Sequence, residues 1–330
     1  MTGTVLVGAN NRFLIQTKQG ILSCTLKGKK LKTQETAYNT LAPGDHVECL
    51  PIDSDTGLIT KLLPRRSLFW RYNEKGKAKQ AIAANIDLII CVSSAGLPPW
   101  RPRFIDRVSI LSEMNELPLL IILNKCDFPI DKDIHQRLAY YESIGFSTLV
   151  TSIYKPETIE SLRERIKGKT AAFIGQSGVG KSSLINALEP GLDYEIGDIC
   201  EKYERGRHTT VAAVCAQLSD NETAIIDTPG IRRLALRYIE PLELSWYFPE
   251  MHKRYGSCKL GARCTHLHER GCAIKEAVES GAIHSDRYIS YSSIWHELVS
   301  SKEYTRKTGR PQRIGTYTDT AVAFTTDAIE

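Results

Sequence analysis

Several short clusters in this chain carry residue types that do chemistry only when held together. Residues 175–182 read Gly175-Gln176-Ser177-Gly178-Val179-Gly180-Lys181-Ser182, with Ser183 next. Glycines at this spacing let successive backbone N–H groups converge on phosphate oxygens, and the helix that follows adds positive potential. Lys181 is expected to reach the β- and γ-phosphates, and Ser182 to give its hydroxyl to Mg²⁺. Asp227-Thr228-Pro229-Gly230 ends an apolar run. An aspartate at that place is a second Mg²⁺ partner, and the Gly230 amide can meet a γ-phosphate. Between them lies Gly206-Arg207-His208-Thr209-Thr210. A threonine hydroxyl there completes a Mg²⁺ shell only while γ-phosphate is present, which makes the loop a switch. Thr210 is favoured over Thr209 for that role.

A second kind of site precedes these. Asn124-Lys125-Cys126-Asp127 closes the run PLLIIL. N-K-x-D at a strand end is the guanine signature of GTP-binding domains. An acidic side chain accepts from both guanine N1–H and the 2-amino group, whereas adenine offers neither and would leave a buried acceptor unpaired. Asn124 and Lys125 would brace the site and cover the base. Thr151-Ser152-Ile153 closes the next strand-like run, where such domains carry a short base-supporting loop.

The third cluster is Cys258-x5-Cys264-x-His266-x5-Cys272. Three thiolates and an imidazole suit a closed, structural zinc site with no open position for chemistry. His268 competes with His266 on spacing alone. Lys259, Arg263, Arg270 and Lys275 give this stretch a basic face suited to an RNA backbone.

These residues need elements to hold them. Residues 3–62 alternate in short runs (TVLVG, RFLIQT, GILSCTL, DHVECLPI, GLITKLL) with turn signals between them, which predicts a small closed barrel. Five strands in this length resemble an OB-fold, although an SH3-like barrel fits the pattern equally. RRSLFWRYNEKGKAKQ follows, basic and aromatic, and reads as a connector that can hold phosphates and stack on bases. From 86 onward, buried strand-like runs alternate with helical spacing, as in a doubly wound α/β domain. Beyond 240 the strands stop, and helices are expected near 272–280 and 285–300. The expected division is a barrel over 1–66, a connector over 67–84, an α/β domain over 85–240 and a metal-binding helical module over 241–330.

The 330 residues carry a net charge of +5, unevenly placed. Residues 1–80 hold 13 Lys/Arg against 6 Asp/Glu, residues 81–240 hold 18 against 21, and residues 251–315 hold 12 against 6. Two basic flanks around a slightly acidic centre suit a catalytic core carried between nucleic-acid-facing modules. No run of 18 apolar residues and no leader pattern occurs, so a cytoplasmic, non-membrane protein is expected. In such a compartment the Cys/His cluster favours metal over disulfide.

The motif order is NKCD, TSI, GQSGVGKS, GRHTT, DTPG, a rotation of the usual order, in which the phosphate loop comes first. With every part kept, the chain resembles the circularly permuted, small-ribosomal-subunit-dependent GTPases of bacteria, the RsgA/YjeQ family. The resemblance spans nearly the whole chain, apart from one extra residue between the first two cysteines. It implies an OB-fold barrel, a permuted P-loop GTPase domain and a zinc module. It also implies GTP hydrolysis to GDP late in small (30S) subunit maturation, stimulation by the subunit, contact with 16S rRNA, and action as a monomer. Ile231 follows Gly230, and an aliphatic side chain cannot orient water. His208, next to the switch threonines, is the candidate for that role, and the resemblance supports it; Lys181 is the second expected catalytic residue. Two rivals are an adenine-nucleotide P-loop enzyme, which NKCD disfavours, and a nucleotide-sensing RNA scaffold, which the complete Lys181, Ser182 and Asp227 set disfavours.

Overall fold

The computed structural model describes residues 1–9, 11–28, 39–73, 78–192, 213–228 and 234–308. The chain opens with β1 (Thr2–Ala9), β2 (Arg12–Thr17), β3 (Gly20–Leu26), β4 (His46–Pro51) and β5 (Thr56–Leu62), matching the five alternating runs. They close as a barrel in the order β1-β2-β3-β5-β4. β3 runs parallel to β5, while the other neighbours are antiparallel. A simple meander cannot make that parallel pair, so the barrel has Greek-key, OB-like topology. Val5, Phe13, Ile15, Leu22, Val47 and Ile59 fill its interior.

The basic stretch read as a connector is a structured ribbon. β6 (Leu68–Asn73) pairs antiparallel with β7 (Ala78–Ala84). Apolar residues in and just after the basic run explain this: Phe69 within it, and Ile82 and Ala83 beyond it, bury into the core of the α/β domain. Its aromatics also turn inward. Trp70 and Tyr72 meet Tyr238 edge-on at 5.2 and 5.0 Å, and the Lys79 ammonium sits 4.3 Å from the Trp70 ring centre.

A six-stranded sheet follows, made of β8 (Leu88–Ser94), β9 (Leu119–Asn124), β10 (Ser147–Thr151), β11 (Thr170–Gly175), β12 (Val214–Gln217) and β13 (Ala224–Asp227). Its order is β10-β9-β8-β11-β13-β12, and only β12 runs antiparallel. β8 and β9 are buried on both faces. Ile89, Cys91 and Ile121 point to the side holding α1 (Pro102–Met114) and α2 (Lys132–Ser143). Leu88, Ile90 and Ile122 point to the side holding α3 (Pro156–Ile166) and α4 (Lys181–Leu188). This is the doubly wound layering.

The rest comprises a 3₁₀ helix (Pro241–Tyr247), α5 (Pro249–His252), α6 (Ala273–Glu279) and α7 (Ser285–Thr308). Leu244, Phe248, Ile274, Tyr291 and Leu298 belong to the same apolar cluster as Ile105 and Tyr141. The core therefore runs unbroken across residue 240. A buried polar knot reinforces it. The Asp106 carboxylate of α1 accepts from Arg137 at 2.9 and 3.0 Å, Tyr141 at 2.6 Å and Arg287 at 2.7 Å. Arg287 also donates to Glu250 at 2.7 Å and to Ser109 at 2.9 Å. Burial pushes the Asp106 carboxyl up, but Arg137 and Arg287 outweigh it and hold the group below the usual carboxylate range. No described helix is long and apolar enough to cross a membrane.

Candidate nucleotide site and metal centre

Register gathers the motifs along one edge of the sheet. Thr151 lies opposite Asn124, Asn124 opposite Ser94, Val92 opposite Gly175, and Phe173 opposite Asp227. All of these fall at or near the carboxyl ends of parallel strands, where open α/β sheets bind ligands. Permuting the chain alters the order of the motifs but not this edge.

The loop after β11 and the first turn of α4 border a cavity of about 450 Å³, together with Lys125. Gly178 and Gly180 hold φ of +83° and +94°, which a side chain would strain. A methyl on Gly180 would stand 2.4 Å from Asn124 Nδ2. That approach lets Asn124 Nδ2 donate to the Val179 carbonyl at 3.0 Å. Thr151 Oγ1 donates to Asn124 Oδ1 at 3.1 Å, so the amide is held at both ends. Lys125 Nζ donates to the Gly178 carbonyl at 2.8 Å and also to the Leu97 carbonyl. The guanine-type loop and the phosphate-type loop are thus one hydrogen-bonded unit. Lys125 has φ of +65°, a left-handed conformation uncommon for a side-chain-bearing residue.

Asp127 is exposed, and Ser152 Oγ donates to its Oδ1 at 2.6 Å. Ser152 is itself tied by its amide to Thr158 Oγ1 at 3.0 Å. Lys181 is buried, whereas Ser182 and Ser183 face solvent. Asp227 Oδ1 is shielded from solvent and has no hydrogen-bond partner among the described residues. Burial raises the Asp227 carboxyl, and the Lys181 ammonium pulls it partly back. An orphaned, desolvated oxygen beside a lysine fits a cation bridge to phosphate. His208, Thr209, Thr210 and Gly230 lie outside the described residues, as does Ile231.

Cys258, Cys264, His266 and Cys272 are all buried, with their donor atoms within 4.8 Å of one another. This set could hold a metal ion. His266 Nδ1 is 3.4 Å from both Cys258 Sγ and Cys272 Sγ, and those two sulfurs are 3.8 Å apart. His268 is exposed, so the ring that joins the thiols is His266. Its φ of +62° turns it inward. Around it, Glu269 accepts from the amides of Thr265 at 2.8 Å and Leu267 at 3.0 Å. Tyr288 and Tyr291 of α7 donate to the carbonyls of His266 at 2.7 Å and Thr265 at 2.9 Å. The spacing of motifs gave no sign of these tyrosines or of the Asp106 knot.

Comparison with known proteins agrees with this geometry. The family model for the RsgA GTPase matches residues 62–237. A small ribosomal subunit biogenesis GTPase RsgA from Borrelia recurrentis is 38% identical over 308 residues, covering 93% of this chain and 97% of that one. The protein of the same name from Moorella thermoacetica is 36% identical, covering 91% and 98%. Among solved structures, YjeQ from Thermotoga maritima superposes with a TM-score of 0.67 at 31% identity, covering 90% of this chain and 98% of that one. YloQ, described as a circularly permuted GTPase, gives 0.64 at 23% identity, covering 94% and 96%, and so supports the fold. With the motifs in rotated order on a GTPase sheet and relatives matching end to end, the chain belongs to the RsgA GTPase family and is a GTP-hydrolysing enzyme.

Proposed function

We propose that this enzyme acts in late maturation of the small ribosomal subunit, that the subunit stimulates its turnover, and that it works as a cytoplasmic monomer. The Asn124–Val179 hydrogen bond carries the mechanistic part of this reading. It sets the distance between base and phosphates before nucleotide arrives, so little ordering remains to be done on binding. Asp127, steadied by Ser152, accepts from guanine N1–H and the 2-amino group. Lys125 covers the base, and the amides of Gly175 to Ser183 cradle phosphate.

Ser182, Asp227 and Thr210 would hold Mg²⁺, which supplies charge neutralisation across the β- and γ-phosphates. Lys181 meets the same oxygens, Thr209 and Gly230 border the γ-phosphate, and His208 orients the attacking water. The Cys₃His set suits structural zinc. Tetrahedral coordination with Zn–S near ~2.3 Å and Zn–N near ~2.0–2.1 Å implies S···S of about 3.8 Å and S···N of about 3.5 Å. The 3.8 and 3.4 Å separations in the structure support that ion. The barrel and this module are the surfaces for 16S rRNA, consistent with the basic flanks.

The test is GTP turnover by wild type and His208→Ala with and without small subunits. Stimulated turnover is expected to fall in the variant while nucleotide affinity stays near wild type. Equal stimulated rates would remove His208 from the mechanism.

A further inference from the structure

We propose that Trp246 and Tyr255 form a stacking platform for an unpaired base of RNA. This rests on the reading of the Cys/His module as RNA-facing, and it identifies which kind of RNA that face takes.

Non-specific single-strand binding combines aromatic faces with nearby cations. The described barrel surface lacks the first of these. Phe13 is buried, and the exposed large apolar side chains there are Met1, Ile21, Leu50 and Ile52. The ribbon aromatics are engaged, since Trp70 and Tyr72 pack against Tyr238 and Lys79 covers Trp70. Trp246 differs. It is 46% exposed, and Tyr255 is 47% exposed. The Trp246 ring lies 3.8 Å from the His252 imidazole with a 36° tilt, and Tyr255 meets it edge-on at 5.2 Å and 85°. The result is an aromatic cluster, Trp246 tilted against His252 and met edge-on by Tyr255, with the Trp246 and Tyr255 rings each about half open to solvent.

Its foundation is rigid. Phe248 and Met251, between the stacked residues in sequence, are buried in the shared core. The Arg287 guanidinium packs 4.5 Å over Phe248. A base would therefore meet ordered rings, and little entropy remains to be lost.

The sequence that follows Trp246 is rich in cations. Residues 251–268 hold Lys253, Arg254, Lys259 and Arg263 and no aspartate or glutamate. Lys253, Lys259 and Arg263 are exposed. Glu243, one turn before Trp246, is the exposed carboxylate nearest in sequence. Exposed rings on a segment that also carries exposed lysines and an arginine fit a strand that offers both a free base face and phosphates. A duplex, whose bases already stack on each other, offers only the phosphates.

The experiment measures binding of the full-length, zinc-loaded chain to a labelled 12-nucleotide oligouridine and to a 12-base-pair RNA duplex. Zinc content and the circular dichroism spectrum verify that each variant is folded. Trp246→Ala is expected to weaken single-strand binding roughly 5- to 100-fold, the range for one lost base stack. Trp246→Phe is expected to stay within about threefold of wild type, and duplex affinity to stay unchanged, because neither alters the phosphate contacts. Failure of wild type to bind the oligouridine would overturn the proposal. So would an unchanged Trp246→Ala affinity, or equal losses on single strand and duplex. Loss of subunit-stimulated turnover in Trp246→Ala with oligouridine binding intact would assign the face to a ribosomal protein and overturn it too. Absence of stimulation in wild type would instead count against the ribosomal reading and leave the oligouridine result to judge the stack.

Discussion

Replacing Gly180 with alanine tests whether base reader and phosphate loop form one unit. The added methyl meets two obstacles. Gly180 holds φ of +94°, and a left-handed conformation costs an L-residue about 1–2 kcal/mol. The methyl would also stand 2.4 Å from Asn124 Nδ2, so that amide must leave the Val179 carbonyl. Asn124 is only 3% exposed, and stranding a buried amide costs about 1–3 kcal/mol. Without nucleotide, Asn124 can turn aside and relieve much of this. Nucleotide requires the original loop shape, so the cost appears on binding. A loss of about 2–5 kcal/mol corresponds to a roughly 30-fold to several-thousand-fold weaker GDP affinity. Gly178→Ala is the control. Its φ of +83° carries a similar backbone cost, but the nearest atom to the new methyl is Pro98 Cδ at 3.4 Å, an ordinary contact. Titration with a fluorescent GDP analogue reads both. Gly180→Ala must be weaker than Gly178→Ala by the Asn124 contribution. Equal affinities, or Gly180→Ala within threefold of wild type, would refute the coupling.

Three further outcomes follow from the same geometry. Asp127→Asn turns an acceptor into a donor and shifts preference from GTP toward xanthosine triphosphate by at least tenfold in a competition assay; unchanged GTP selectivity would contradict the base assignment. Arg287→Met leaves the buried Glu250 carboxylate without its guanidinium and removes one of the two guanidiniums at Asp106, and should destabilise the fold by about 3–5 kcal/mol in urea unfolding, whereas a loss under about 1 kcal/mol would show that the knot is not stabilising. Because Asp106 is depressed in the folded state, its contribution is present above the unfolded value of about 3.9 and fades as pH falls below it, so wild-type stability should drop there more steeply than that of Asp106→Asn. Cys272→Ser should reduce bound zinc from about one per chain to near none by metal analysis, and equal metal content would exclude the tetrahedral set.

Much of this was legible from the sequence because it is local. Period-two runs marked the barrel strands, and each motif sat where an apolar run ended, which is where the sheet places ligands. Choosing OB-like over SH3-like topology required the parallel pairing of β3 with β5, a long-range property that periodicity does not carry. The basic run at 65–80 concealed a ribbon because charge dominates its composition, while Phe69 alone anchors it fully inside the core. Asp106 and Arg287 are 181 residues apart, and nothing local marks them as partners. His266 and His268 are equivalent by spacing, and the left-handed turn at His266 separates them only in three dimensions.

The reversed order of NKCD and GQSGVGKS now has a physical counterpart. Both loops reach the same sheet edge, and Leu234, Leu236 and Ile239, which follow the DTPG motif in sequence, belong to the core shared with the Cys/His module. An enzyme built this way has a route from nucleotide state to the surfaces proposed to contact the ribosome. The most direct test is GTP turnover by the full-length chain alone, with small subunits and with large subunits. The account predicts slow turnover alone, strong acceleration by small subunits and none by large. Equal rates in all three would contradict it.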